Sequence, residues 1–182
     1  QFLLSEIVAL ALVHTLREYD IVCRIKWTND IYAGDSKIVG ILIEHSLSGD
    51  TLARTIAGIG LNVNQREFPA DLPNPTSMAC EQGQLFNREE IIRHIVLNLE
   101  TLYNRLERGE KAEIEREYIE TMYHLGEPHT YAYPSGEEFM ATIRGVRHSG
   151  ELRLEHSDGI IREYAFKEVE FVLPHKSRSV HK

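Results

Sequence analysis

Apolar positions in the first third of the chain change period once, and the change separates a helix from a set of strands. Leu3, Leu4, Ile7, Val8, Leu10, Ala11, Val13 and Leu16 recur at helical spacing, which predicts an amphipathic helix ending near Tyr19-Asp20. His14 lies on the same stripe and reads as a satisfied helix histidine. The stripe is broad, so this helix is expected to pack across a sheet. Ile21 to Trp27 then reads as a short strand and Ile31 to Ala33 as another. Gly34-Asp35-Ser36 turns the chain into an Ile- and Val-rich strand from Lys37 to Ser46. Ser48-Gly49-Asp50 is a hairpin signal, and Thr51 to Val63 supplies the return strand. The expectation is an antiparallel meander whose middle strands are mostly apolar.

Phe68 to Pro75 holds three of the six prolines and is expected to be loop. Thr76-Ser77 opens a short helix through Met78 and Ala79. Asn87 is a good N-cap for a helix from about Arg88 to Glu107, with Ile91, Ile95, Leu99, Leu102 and Leu106 on one side. Gly109 breaks it, and Ala112 to Leu125 reads as a further helix. After Gly126-Glu127-Pro128 the runs shorten to Thr130–Tyr133, Phe139–Val146, Glu151–Leu154, Ile160–Phe166 and Glu170–Leu173. Turns at Ser135-Gly136, Ser149-Gly150 and Asp158-Gly159 separate them, a pattern expected of a small barrel. Pro174 ends it and 175–182 is a polar tail. The fold class is therefore α+β, a mostly antiparallel sheet packed by helices over 1–125, followed by a small β-barrel over 126–174.

Composition adds little to this and excludes several functions. With 182 residues, 42% hydrophobic and 26% charged, the chain can bury a sizeable core. A formal charge of −8 argues against general nucleic-acid binding, though not against a local basic pocket for a phosphate. Cys23 and Cys80 form no CxxC, so neither a disulfide framework nor a thiolate zinc site is indicated, which fits a reducing cytoplasm. Ile7 to Val13 is too short to span a bilayer, and Gln1 to Leu4 has no basic flank of a signal peptide. The chain opens without Met inside a helical pattern, and is read as a piece that begins partway through a larger domain. The nine histidines form no HxxxH or HExxH pair, so no metal ligands are assigned.

Two segments carry candidate chemistry. Lys26-Trp27-Thr28-Asn29-Asp30-Ile31-Tyr32 and Lys37-Ile38-Val39-Gly40-Ile41-Leu42-Ile43-Glu44 set two lysines, an amide and a carboxylate around strands that otherwise read as buried. Alone, the first is equally a strand ending in an Asn-Asp turn. With Lys37 beside the turn carboxylate and Gly40 permitting close approach of backbone, the set suits an anionic ligand. Gly58-Ile59-Gly60-Leu61-Asn62 is not a GxGxxG opening a helix. By itself it reads as a strand kink, or as backbone against which a ligand lies, with Asn62 offering an amide.

Together, these segments resemble the biotin–protein ligases, whose pattern is KWPND(L/I)Y, then KxxGIL(I/V)E, then GxGxN. Order and spacing agree, and Thr28 stands where the family usually has proline. The resemblance implies a class II synthetase-like catalytic sheet and an SH3-like C-terminal domain. The implied activity is attack of the biotin carboxylate on ATP to give biotinoyl-5′-AMP and pyrophosphate, then transfer to a lysine of a biotin carboxyl carrier domain of acetyl-CoA carboxylase.

Residue by residue, the resemblance implies that Lys37 stabilises charge developing near the carboxylate and α-phosphate. Asp30 either orients Lys37 or acts as general base. Asn29, Gly40, Ile41, Gly58, Gly60 and Asn62 bind biotin or adenylate, Asn62 at the adenine; Lys26 is structural. ATP with Mg²⁺ is the implied cofactor pair, few protein ligands to Mg²⁺ being expected. The family's upstream glycine- and arginine-rich loop is not in this sequence, which implies that this stretch alone is inactive. A lipoate–protein ligase is the alternative enzyme. A non-catalytic module that binds effector or dimerises is the alternative of another class, and an independent SH3-like adaptor a third. A homodimer through an edge strand is open.

Overall fold

The computed structural model describes residues 2–48 and 51–173. Gly49 and Asp50 at the expected hairpin, Pro174 and the tail 175–182 lie outside them. Helix α1 (Phe2–Glu18) is followed by β1 (Cys23–Lys26), β2 (Asp30–Ala33), β3 (Ser36–Ser48) and β4 (Thr51–Leu61). These four strands form one sheet in the order β1-β2-β3-β4, each pair antiparallel, the expected meander. Then come α2 (Met78–Gln82), α3 (Arg88–Glu107) and α4 (Lys111–Glu120). The last strands are β5 (Pro128–Ala132), β6 (Glu138–Val146), β7 (Leu152–His156), β8 (Ile161–Tyr164) and β9 (Glu170–Phe171). They make a second antiparallel sheet in the order β8-β7-β6-β5-β9, with β8 and β9 as its edges.

The broad apolar stripe of α1 explains its position. Leu10, Ala11 and Leu16 are completely buried, because the helix has β1 and β2 on one side and α3 and α4 on the other. Leu102 of α3 and Ile114 of α4 close the same core. Tyr131, Ile143, Leu152 and Leu154 of the second sheet join the same apolar cluster as α1. The second sheet is joined to the rest of the chain where the Trp27 indole donates to the Gly150 carbonyl at 2.9 Å and where Leu125, after α4, bridges to Ile143 of β6. No helix among the described residues is long and apolar enough to cross a membrane.

Caps behave as the sequence indicates. The Asn87 side chain accepts from the Glu89 amide, and Ser77 accepts from the Cys80 amide. Several boundaries differ from expectation, three of them with a clear physical reason. Ile21 is not in β1, since its amide bonds back to the Leu16 carbonyl. The helix expected to reach Leu125 stops at Glu120, because Thr121 to Tyr123 pair instead with β1. The Ile25 amide donates to the Thr121 carbonyl at 2.9 Å, and the Tyr123 amide donates to the Ile25 carbonyl at 2.8 Å. His124 then takes a left-handed φ of 57° that ends helical propagation. Strand β8 ends at Tyr164, because the Glu168 carboxylate holds the Ala165 amide in a turn.

Candidate functional site

An irregularity in the meander positions the central pair. Between β2 and β3 the register shifts at Ile31/Tyr32, so that Asp30 lies opposite Gly40 while Tyr32 lies opposite Lys37. The Lys37 side chain then runs back over Gly40, and its Nζ meets Asp30 Oδ1 at 2.7 Å. Gly40 leaves room for this. A Cβ there would stand 3.3 Å from both Lys37 Cε and Nζ and 3.8 Å from Asp30 Oδ1. Gly60 lies opposite Gly40 on β4, so a strip of bare backbone runs beside the pair.

The proline-rich loop forms the other wall. The Lys37 amide donates to the Asn74 carbonyl at 2.7 Å, and the Thr76 amide donates to the Lys37 carbonyl at 2.9 Å. Asn62 fastens the same loop, its Nδ2 donating to the Thr76 carbonyl at 2.9 Å. A cavity of about 390 Å³ results, lined by Asp30, Lys37, Gly40, Gly60, Asn62 and Asn74, among others. A second cavity of about 530 Å³ adjoins it on the far side of Asp30, lined by Trp27, Asn29, Ile41, Phe166, Glu170 and Phe171, with Lys26 at its edge. Asp30 is common to both, so the ion pair sits where they meet.

Lys26 is part of this arrangement. Its ammonium lies 4.7 Å from the Phe171 ring centroid and 5.5 Å from that of Tyr32. Burial lowers its pKa; the Asp30 charge opposes the shift and Lys37 adds to it. Burial, with the Asp30 charge beside it, pushes the Tyr32 hydroxyl up to about 12. Across the two cavities three ammonium groups, of Lys26, Lys37 and Lys167, face two carboxylates, of Asp30 and Glu170, leaving one net positive charge in a chain of net negative charge.

Of the residues expected from sequence, Lys37, Asp30, Gly40, Gly60 and Asn62 converge on the first cavity, and Asn29 and Ile41 line the second. Gly58 does not join them. It lies opposite Leu42 and lines neither cavity. Phe166, Glu170 and Phe171 went unnoticed as lining residues, since nothing in their local pattern shows that the second sheet turns them back onto β1 and β2. Nor did the histidine count reveal that donor atoms of His124, Glu127 and His129 lie within 4.8 Å of one another. The spacing H-x-x-E-x-H across a Gly-Glu-Pro turn was the available signal. A hollow of about 560 Å³ between α1, β4 and α3 has Leu4, Ile7, Val8, Val96 and Leu99 on its wall. Its lining is mainly apolar and brings together no comparable cluster of charge.

Residues 1–62 match the biotin/lipoate A/B protein ligase family. The bifunctional ligase/repressor BirA of Bacillus subtilis is 38% identical over 104 residues, 55% of this chain and 32% of that protein. The biotin–[acetyl-CoA-carboxylase] ligase of Paracoccus denitrificans is 29% identical over 140 residues, 74% of this chain and 58% of that protein. The matches therefore span about a third to somewhat over half of these relatives. The fold is that of the biotin protein ligase from Aquifex aeolicus, solved in complex with biotin and ATP. The two superpose with a TM-score of 0.76 at 24% identity, covering 96% of this chain and 72% of that one.

Proposed function

We propose that this chain, with its biotin/lipoate protein ligase-family segment and its biotin protein ligase fold, supplies the charge-stabilising part of a biotin–protein ligase site. The observation that carries this reading is the Lys37–Asp30 pair at 2.7 Å where two cavities meet beside a strip of bare glycine backbone. The biotin carboxylate attacks the α-phosphorus of ATP, a P–O bond forms, and the bond to pyrophosphate breaks. Negative charge accumulates on the α-phosphate oxygens, and an ammonium already held in place stabilises it without reorganisation. Asp30 keeps Lys37 over Gly40, and in this reading its carboxylate takes the proton as a carrier lysine amine attacks the mixed anhydride, the amide bond forming and the acyl C–O bond breaking to release AMP.

The donor set bears on the metal. Asp30 is the one carboxylate on the smaller cavity and is already paired with Lys37, so the residues here do not build a cage for Mg²⁺. Mg²⁺ fits as an ion held mainly by the triphosphate and water, screening its charge. Asn62, tied by Nδ2 to the Thr76 carbonyl, supports the loop that this reading assigns to the nucleobase. Biotin is preferred over lipoate because the name of the Paracoccus relative specifies biotin, and the Aquifex structure of the same fold was solved with biotin and ATP. The Paracoccus relative's name supports acetyl-CoA carboxylase as the source of the carrier domain.

The direct test is transfer to a purified biotin carboxyl carrier domain by the protein in its natural length, with ATP and either biotin or lipoate. Streptavidin-detectable labelling that needs ATP and biotin is the expected result. Labelling by lipoate alone would replace biotin with lipoate in this reading, and no labelling with either acid would contradict it.

A further inference from the structure

We infer that His124, Glu127 and His129 form a binding site for a divalent transition-metal ion of the Zn²⁺ class at the junction of α4 and the second sheet. The proposal starts from backbone that is fixed on both sides. The Tyr123 amide is bonded to the Ile25 carbonyl at 2.8 Å, and the Gly126 amide to the Ile143 carbonyl at 3.1 Å. His129 sits in β5 opposite Ala141 of β6. Both imidazoles are therefore mounted on hydrogen-bonded chain, while Glu127, two-thirds exposed, has a side chain free to pivot.

The turn brings the three groups together. His124 Nδ1 is 3.1 Å from Glu127 Oε2, and the rings of His124 and His129 are stacked with centroids 3.4 Å apart at 30°. One ligand atom from each lies within 4.8 Å of the others. In a tetrahedral zinc site with bonds of about 2.0–2.2 Å, ligand atoms stand about 3.4 Å apart. The His124–Glu127 separation already meets this, and binding requires the stacked His129 ring to turn until its nitrogen lone pair points at the same ion. A salt bridge accounts for two of these groups and ring stacking for the third. Neither requires a donor atom of all three to lie within one small volume.

The donor chemistry sets the class of ion. Two imidazoles and one carboxylate suit Zn²⁺ and its neighbours, leaving a fourth position for water, whereas Mg²⁺ and Ca²⁺ want all-oxygen shells. The position has a consequence too. Tyr123 lies tilted against His124, ring centroids 3.7 Å apart, and packs against Tyr32 at 5.3 Å and Phe171 at 6.4 Å, the two rings beside Lys26. One aromatic ring thus separates the metal donors from the candidate catalytic cavities, yet the site is chemically independent of the ligase reading.

The test is titration of the full chain with Zn²⁺ against a chromogenic chelator, with Mg²⁺ as the hard-ion control and Co²⁺ as a spectroscopic probe. Expected are uptake of Zn²⁺ but not Mg²⁺, visible bands of four-coordinate Co²⁺, and at least about tenfold weaker Zn²⁺ binding in Glu127→Gln and in His129→Gln. The exposed position of Glu127 keeps the first variant folded, which circular dichroism checks. No uptake of Zn²⁺, or uptake unchanged in both variants, would overturn the site.

Discussion

At the scale of single residues, the account rests on a lysine that crosses a glycine to reach an aspartate. Gly40→Ala is expected to leave the fold intact and displace the Lys37 ammonium, because the new methyl would stand 3.3 Å from Nζ and Cε. Biotin-dependent turnover should fall about tenfold or more with little change in melting temperature; unchanged turnover would separate Lys37 from the chemistry. Lys37, Asp30 and Gly40 were legible in the sequence because charge beside buried strands is costly and needs a reason. The Lys26 pocket was not, since its wall comes from Phe171, more than a hundred residues away. The histidine cluster was missed for a related reason. Helical spacings such as HxxxH do not describe a turn, where a left-handed His124 folds the chain back onto His129.

Buried groups without partners give a second residue-scale prediction, in pH. Glu6 is buried, and among the described residues its Oε2 has no hydrogen-bond partner. Burial, then the Glu115 charge, raises its pKa from 4.5 to about 7. The folded state therefore holds a proton that the unfolded state has released between these values. This contribution to stability is full below pH 4.5 and is lost as pH rises to about 7. Glu6→Gln should remove that slope and raise stability at pH 8 by about 3 kcal/mol. Denaturant melts at pH 5 and pH 8 check this, and equal slopes in both proteins would contradict it.

At the scale of elements, helix α3 was read to the residue because its start is chemical: an amide side chain caps the first turn. Asn87→Ala should cost about 1 kcal/mol in a denaturant melt, with no change in ligand binding. The end of α4 was misread because helical propensity continues through Met122 to Leu125. There a tertiary pairing with β1 overrides it, and local pattern cannot report a partner a hundred residues upstream. The four-strand meander was legible for the opposite reason, since its pairs are neighbours in sequence. Its bulge at Ile31/Tyr32 was not, yet it is the feature that turns Lys37 toward Asp30.

At the scale of the molecule, two antiparallel sheets share one apolar cluster, and the second supplies Phe166, Glu170 and Phe171 to the larger cavity. Gly150 is a contact sensitive to change. It sits at φ 108°, its carbonyl accepts from Trp27, and a Cβ there would come within 2.8 Å of the Phe2 ring. Gly150→Ala should lower the melting temperature and weaken the hold of the second sheet on the site, giving earlier proteolysis between α4 and β5. Equal protease resistance would contradict that coupling. The most direct test of the central claim is biotin-dependent ATP–pyrophosphate exchange by the natural-length protein, compared with its Lys37→Ala variant. The account predicts exchange in the first and a fall of about 10²–10³ in the second, with the fold unchanged. Undiminished exchange in the variant would remove Lys37 from the centre of the mechanism, and no exchange in either would contradict the ligase assignment itself.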